Sequence, residues 1–330
     1  MTIGKASNFV VYQNELRGGI VETLTQASAF FNAMGNPIAL STISRRGDYA
    51  KETFFKSLST IVARRDTTSV AAATALPLTM DEIISVKLNR KIGPVDQTYD
   101  AFAKVAMSMS PEAFSMLLGG MIGKAMQVEM LNSALRAGRA ALVNQSDNFY
   151  DLATATLTTA GLVNGLAKMG DAANQVIAWV MHSKNYFDLM AHQIGTSANG
   201  DVVSGVVVQN AAPATLNRPV IITDSDALKV AGGSGSGAYT DYHVLGLTAN
   251  GLVVENSEQE RVVTQEVTGL ENLVVRLQGE FAYNLGVKGF KWDIDNGHAN
   301  PIDSAVGTGS NWDPAVSSSK DYAGVVIQCR

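Results

Sequence analysis

Residues 110 to about 142 have the pattern of one uninterrupted α-helix, which limits the possible folds more than any other feature of the sequence. The start of this segment suits a first helical turn. Ser110 is a favourable N-cap, and Pro111 lacks the amide donor that the first turn leaves unpaired. Glu112 places a negative charge where the helix dipole favours it. Apolar residues then recur every three or four positions, at Phe114, Leu117, Leu118, Met121, Ile122, Ala125, Val128, Leu131 and Leu135. A helix of roughly 30 residues is ~45 Å long, which is more than a compact domain usually needs.

Residues 41–100 predict a long two-stranded hairpin. The first arm, Ala50–Leu58, contains Phe54 and Phe55, and the second arm is Ile83–Ile92. The second arm alternates in the manner of a half-buried strand, with one face formed by Ile84, Val86 and Leu88. Small residues fill the tip, Thr67–Thr79. An isolated two-stranded ribbon is only marginally stable in water, so the hairpin needs a partner, either the rest of the chain or a neighbouring copy.

The remaining segments predict a mixed α/β region between two less regular ends. Val21–Met34 has helical spacing and stops at Gly35, Asn36 and Pro37. Helices are expected at Ala153–Lys168 and from Lys184 to Gln193. Strands are expected at Val176–His182, Asp201–Val208, Val220–Thr223, Tyr242–Leu247, Gly251–Glu255, Val262–Val267 and Leu273–Gln278, with a strand or short helix at Gly279–Lys288. The tail from Asp293 is rich in Gly, Asn, Ser and Pro and is expected to lack regular structure.

Composition and charge slightly favour a surface covered by other molecules. Charged residues make up 17% of the chain, below the usual quarter, and there are 30 glycines. Residues 1–150 carry 15 Lys and Arg against 12 Asp and Glu, a net charge of +3, whereas residues 151–330 carry 10 against 18, a net charge of −8. Opposite charges on the two halves suit head-to-tail packing between copies, although two ordinary solvated surfaces give the same count.

No catalytic, cofactor-binding or metal-ligating constellation is found, so we expect none. The histidines are too widely spaced for a ligand pair: His182, His192, His243 and His298. The glycine-rich run 232–237 lacks the Lys and Ser or Thr of a phosphate loop. Asp224 and Asp226 suit an Asx turn better than a calcium site, and Asp293 and Asp295 suit turn residues better than an acid–base pair. The basic pairs Arg45-Arg46, Arg64-Arg65 and Arg90-Lys91 predict interface salt links or solvated strand edges rather than direct nucleic-acid recognition.

The sequence predicts neither a membrane span nor a secretory signal. No apolar stretch is long enough to span a bilayer, and the N-terminus lacks the pattern of a secretory signal, so we expect a protein without membrane association that stays in the cytoplasm of the producing cell. Cys329 is the single cysteine, which excludes a disulfide framework. We interpret it as part of a frayed, unreactive tail.

The order of these parts resembles the Hong Kong 97 fold of tailed-bacteriophage major capsid proteins, an α+β fold with an N-terminal arm, an extended loop, a long spine helix and peripheral and axial domains. Short sequence segments strengthen the resemblance. Trp179–Lys184 followed by Tyr186–Leu189 is similar to the strand-to-helix step of the axial domain, Arg218–Ser225 to the next strand, and Tyr242–Val254 to the later strand pair.

The resemblance implies a division of the chain and a mode of action. The N-terminal arm would be residues 1–40, the extended loop 41–100 and the axial domain 150–255. The peripheral domain would combine 101–149, including the spine helix, with 256–330. Copies would assemble through pentamers and hexamers into an icosahedral shell around phage DNA. The loop of one copy would lie across its neighbour, with Phe54, Phe55 and the apolar face at 84, 86 and 88 as candidate contacts.

The implied partners are other copies of the chain, a portal, a possible decoration protein and non-specifically contacted double-stranded DNA, with either a separate scaffolding protein or none. Assembly in the host cytoplasm would end in the virion. Lys51 and Lys56 lie near the loop, but no asparagine partner or catalytic acid is identified, so a covalent crosslink is not inferred. The alternatives are a cellular nanocompartment shell of the same fold and an α/β enzyme without a recognisable motif. A tail-tube protein fits less well because of the long helix.

Overall fold

A computed structural model describes residues 15–17, 19–20, 35–45, 47–56, 79–98, 111–198, 215–233 and 237–330, together with 64, 67–68 and 72. The strands are β1 Ile38–Thr42, β2 Tyr49–Phe55, β3 Met80–Thr98, β4 Phe149–Asp151, β5 Val176–His182, β6 Val220–Thr223, β7 Lys229–Gly232, β8 Tyr239–Thr248, β9 Leu252–Val267, β10 Val274–Val287, β11 Phe290–Trp292, β12 Trp312–Pro314 and β13 Gly324–Cys329. The α-helices are α1 Pro111–Val143, α2 Thr159–Ala167, α3 Ser183–Ala198, α4 Ile294–Gly297 and α5 Asp303–Val306.

A five-stranded sheet with the order β1-β9-β10-β3-β2 contains the predicted hairpin. The two predicted arms correspond to β2 and β3, which pair from Tyr49 opposite Val86 to Phe55 opposite Met80. β3 continues far beyond β2 and pairs with β10 as far as Thr98 opposite Val274. The hairpin therefore finds its partner within the same chain. A register shift between Leu277 and Gly279 on β10 faces Gly93, whose φ of +74° is readily adopted by glycine.

A six-stranded sheet forms the second layer, with the order β4-β13-β8-β5-β6 and β7 paired to β8. β5 is apolar and buried along nearly its whole length because elements pack on both of its faces. Arg218 ties the start of β6 to β5, since its guanidinium donates to the carbonyls of Val176 at 2.7 Å and Ala173 at 3.0 Å. The predicted strands Val176–His182 and Val220–Thr223 are confirmed with these bounds.

Helix α1 packs against both sheets and confirms the predicted long helix. It begins at Pro111, where the missing amide donor costs nothing, and ends at Val143. Its inward face is built from small and flexible residues that allow close approach of the strands, with Met126, Met130, Ala134, Ala137 and Ala141 all buried. The main apolar core lies between this face and the two sheets, and a second cluster lies between the six-stranded sheet, α2 and α3.

The N-terminal segment crosses the first half of α1 at very short range. Residues 15–17 and 19–20 are helical, and Leu16 and Ile20 are buried. A Cβ atom on Gly119 would lie 2.0 Å from the carbonyl oxygen of Leu16, so only glycine permits this crossing. The predicted helix Val21–Met34, the cap Ser110 and the predicted strand Asp201–Val208 lie outside the described residues.

Several predicted segments take a different form in the structure. The four short strand predictions between 251 and 288 merge into the long strands β9 and β10. The α2 helix begins at Thr159, where Thr158 is its N-cap, later than the prediction. The tail from Asp293 is not irregular. Trp292 and Trp312 pack edge to face with ring centroids 4.9 Å apart, and the chain then enters the six-stranded sheet as β13.

Candidate assembly surfaces

The far end of the β2–β3 hairpin carries an exposed apolar pair. Phe55 and Met80 face each other across the two strands and are 60% and 67% exposed. Phe54 is half-buried. The predicted contact face on β3 does not reach a neighbouring copy, because Ile84, Val86 and Leu88 are buried in the core of their own chain. The hairpin surface available to other copies is therefore its outer end, beyond the edge of the sheet core.

Asp81 fixes that outer end to the body of the protein. Its carboxylate lies 2.8 Å from Nζ of Lys56 at the end of β2, and 3.4 Å from Nζ of Lys291 in β11. The hydrogen bond from Lys56 lowers the pKa of Asp81 to about 2, so the carboxylate stays charged at neutral pH. Because both arms and β11 meet at one carboxylate, the exposed Phe55–Met80 pair is held in a defined position.

An ion network joins the hairpin strand to the long helix. Nε of Arg90 in β3 lies 2.9 Å from Glu129 Oε1 in α1, and one of its terminal nitrogens lies 2.5 Å from Asp303 in α5. Arg136 of α1 also reaches Asp303, at 2.7 Å. Burial alone would raise the pKa of Asp303, but Arg136 and Arg90 outweigh it, and the pKa is lowered. Nearby, the hydroxyl of Tyr283 in β10 lies 2.9 Å from that of Ser133 in α1.

The basic pairs are used differently from the prediction. Arg45 bonds Glu255 at 2.7 Å and Glu52 at 2.8 Å, and Arg90 belongs to the network above, so both make ion pairs within the chain. Arg64 is exposed, and Arg46 and Arg65 lie outside the described residues. Ion pairs thus join the sheet to the long helix, and the exposed Phe55–Met80 pair lies at one end of the hairpin.

Comparison with known protein families shows which family the chain belongs to. The sequence matches, over residues 8–326, the family described as major capsid protein 13-like. The chain belongs to this family of major capsid proteins. Its function is accordingly to form a viral shell from many copies, and its place is the virion. A search of curated proteins finds no significant match.

The capsid protein is similar to solved structures from several phages. A structure from Microbacterium phage Oxtober96 is 14% identical, with 88% of this chain and 89% of that chain covered and a TM-score of 0.50. The acid-stable capsid of the Helicobacter pylori bacteriophage KHP30 is 12% identical, covering 92% and 90%, with a TM-score of 0.47. The cyanophage Pam1 capsid is 12% identical, covering 74% and 81%, also at 0.47. The fold is the α+β Hong Kong 97 fold that the resemblance predicted.

Chemistry-bearing residues of the capsid protein have structural partners. Asp293 caps α4 by accepting hydrogen bonds from the amides of Asp295 and Asn296. Ser225 caps the following 3-10 turn, and Asp224 accepts a hydrogen bond from Ser183. Within the described residues, no three His, Cys, Asp or Glu side chains converge as a metal site would require. None of the helices in that part of the chain has the length and apolar character needed to cross a membrane.

Sequence reasoning did not find the residues that hold the hairpin in place. Asp81, Glu129 and Asp303 are ordinary surface-type residues in the sequence, and their partners lie far along the chain. No local spacing connects them. Met80 stood at the edge of the small-residue tip, and only the register of β3 against β2 shows that it faces Phe55.

Proposed function

We propose that the capsid protein assembles as pentamers and hexamers into an icosahedral shell around double-stranded DNA, and that it acts by assembly without catalysing a reaction. Rings of this kind use heterologous contacts that close on themselves, so one subunit must present two different surfaces. The exposed Phe55–Met80 pair at the anchored hairpin end is the observation that supports one of them. Its counterpart would be a surface on the neighbouring copy.

The proposed division of the chain follows the sequence prediction with one change. The arm is 1–40, the extended loop 41–100, the axial domain 150–255, and the peripheral domain 101–149 with 256–330. Gly324–Cys329 joins the axial domain, because β13 pairs with β8 and β4 in the six-stranded sheet. β3 extends from the loop into the five-stranded sheet, so the loop and the peripheral domain share one strand.

The partners proposed beyond other copies are a separate scaffolding protein, a portal, a possible decoration protein and the packaged DNA. DNA would be contacted through its phosphates without base recognition, since the shell must accept any genomic sequence. Assembly would take place in the host cytoplasm. These proposals rest on the family to which the chain belongs.

Expression of the chain, alone and with a candidate scaffolding protein, followed by negative-stain microscopy, tests the proposal. Closed icosahedral particles are expected. The double substitution Arg64→Asp with Arg65→Asp at the loop should reduce the yield of particles while leaving the far-ultraviolet circular dichroism unchanged. A matched control is Lys168→Asp with Lys320→Asp, which makes the same charge change at two exposed lysines outside the loop. Normal particle yield from the loop variant would contradict the proposed role of the loop.

A further inference from the structure

The first half of α1 carries an apolar stripe that the rest of the described chain leaves uncovered. Leu117, Met121 and Val128 are 52%, 62% and 56% exposed. They lie on the side of the helix away from Gly119, Ile122 and Met126, which face the N-terminal segment and the core. The helix therefore has two apolar faces along its first half, and the described residues bury only one of them.

The spacing of the uncovered residues is that of a helix-packing seam. Positions 117, 121, 124 and 128 are separated by four, three and four residues, the heptad spacing that brings side chains to one line on a helix. The same line continues to Leu131 and Leu135, where the core of the protein covers it and Leu135 is 3% exposed. The open part from 117 to 128 is about 16 Å long, enough for two to three turns of a partner helix.

Lys124 lies in the middle of this seam, and its positive charge determines which kind of helix can pack there. The side chain is exposed and forms no ion pair with any residue that the structure describes. If two copies packed their seams together in parallel, their Lys124 side chains would meet. In antiparallel packing about the middle of the stripe they would be about 5 Å apart along the axis. Like charges at such a contact oppose association, whereas an acidic residue on a partner would complement Lys124.

We infer that this seam, Leu117, Met121, Lys124 and Val128, is the docking site for an amphipathic α-helix of another protein, with apolar residues at heptad spacing and an acidic residue opposite Lys124. The inference deepens the proposed function by giving a separate assembly protein its contact surface. An apolar helix laid along an apolar stripe is a common mode of recognition, and a charged residue within the stripe selects partner and register.

Two synthetic helices test the inference. Both are fluorescein-labelled 21-residue peptides with leucine at the a and d positions of three heptads, and they differ at the central d position, which is Glu in one and Lys in the other. Fluorescence anisotropy with unassembled capsid protein should show saturable binding of the Glu peptide and binding at least about tenfold weaker for the Lys peptide. The variant Lys124→Glu should reverse this preference.

Apolar contact is tested by Met121→Ser with Val128→Ser, which should weaken binding of the Glu peptide at least about tenfold. Val163→Ser with Ile302→Ser is the matched control, since those residues are 49% and 71% exposed on other elements. The four positions are exposed, so all variants should fold, and thermal unfolding verifies it. Absence of binding, equal binding of the two peptides, or equal loss in the control variant would overturn the inference.

Sedimentation velocity of the unassembled protein distinguishes a second copy as the occupant. Subunits that dimerise, and lose that dimerisation in the Met121→Ser with Val128→Ser variant, would overturn the inference in favour of self-packing. Unchanged sedimentation of the two proteins supports it. None of these measurements depends on shell formation, so failure of the docking inference and failure of the proposed assembly are separately visible.

Discussion

His243 lies in β8 with 3% of its surface exposed, beside Arg139 and Asp241. Burial, with a further contribution from the charge of Arg139, lowers the pKa of His243 to about 4. The unfolded chain binds a proton at this residue near pH 6.5, whereas the folded chain does so only near pH 4. The unfolded state therefore gains protons first as the pH falls.

We expect the free energy of unfolding to decrease by about 3 kcal/mol between pH 6.5 and pH 4 through His243. Urea unfolding of the unassembled protein at several pH values measures it. In His243→Gln the slope against pH should become shallower, whatever the change in stability at pH 7. Some slope will remain because burial also lowers the pKa of His182. Asp81, whose pKa is about 2, lowers the free energy of unfolding only as the pH falls below about 4. An unchanged slope in the variant would contradict the assignment.

Cys329 is a second residue whose environment decides its chemistry. It is fully buried in β13, and burial raises the pKa of its thiol to about 12. Its Sγ lies 3.6 Å from the carbonyl oxygen of Tyr242. The interpretation of this residue as part of a frayed tail is wrong, because the last strand is paired on both sides. Its lack of reactivity stays a prediction, now for a different reason.

Iodoacetamide at neutral pH should leave Cys329 unmodified in the folded protein and modify it once the chain is unfolded in guanidinium. Thiolate is the reactive form, and both burial and the raised pKa suppress it. Mass spectrometry of the intact chain before and after unfolding gives the readout. Rapid modification of the native protein would show that β13 opens readily.

At the scale of elements, Arg90 links β3 to α1 and α5. Its side chain is 20% exposed, and its two carboxylate partners come from different helices. Replacing it with methionine keeps much of the apolar volume but leaves Glu129 without its partner in a partly buried site. We expect Arg90→Met to lower the free energy of unfolding by about 1–3 kcal/mol.

Arg276→Met is the matched comparison for the Arg90 substitution. Arg276 also lies on the five-stranded sheet and pairs with Asp96 at 2.6 and 2.7 Å, but both side chains are substantially exposed. Water screens such a pair, so the loss of stability should be smaller than for Arg90→Met. Urea unfolding of both variants measures which substitution lowers the free energy of unfolding more. A larger loss at Arg276 would contradict the role given to the Arg90 network.

Elements with strong local signals were predictable from the sequence, and elements held by distant residues were not. The long helix and β5 were found because caps, Pro111 and a continuous apolar pattern are local. The tail after Asp293 was missed because its order depends on the Trp292–Trp312 contact and on strand pairing with β8. The helical pattern contains the exposed Leu117, Met121 and Val128 as well as the buried Ile122, since periodicity alone cannot show which apolar positions are covered.

At the scale of the whole molecule, the exposed Phe55–Met80 pair should matter for assembly and not for folding. Phe55→Ser with Met80→Ser should reduce particle yield severalfold in electron micrographs, because apolar area that neighbouring copies would cover is lost. Thermal unfolding of the unassembled variant should match that of the unchanged protein, since both side chains are already exposed. Val163→Ser on α2 serves as the control. Normal particles from the double variant would exclude this pair from the contacts between copies.

The fold class and the shell function were predictable because the order of arm, hairpin, helix and mixed region is a property of the whole sequence. The residues that contact other copies were harder to predict. The face at Ile84, Val86 and Leu88 has the pattern of a half-buried strand whether the cover comes from the same chain or from another copy. Only the position of β10 beside β3 shows that the cover is internal.

β3 passes without interruption from its pairing with β2 in the hairpin to its pairing with β10, the central strand of the five-stranded sheet. A force applied to the hairpin by a neighbouring subunit is therefore carried along one covalent strand. The hydrogen bonds that join this strand to β10 run across its axis, so such a pull loads them together in shear and does not peel them apart one by one. Tension on β3 would also reach α1, because Arg90 joins this strand to Glu129 of the helix.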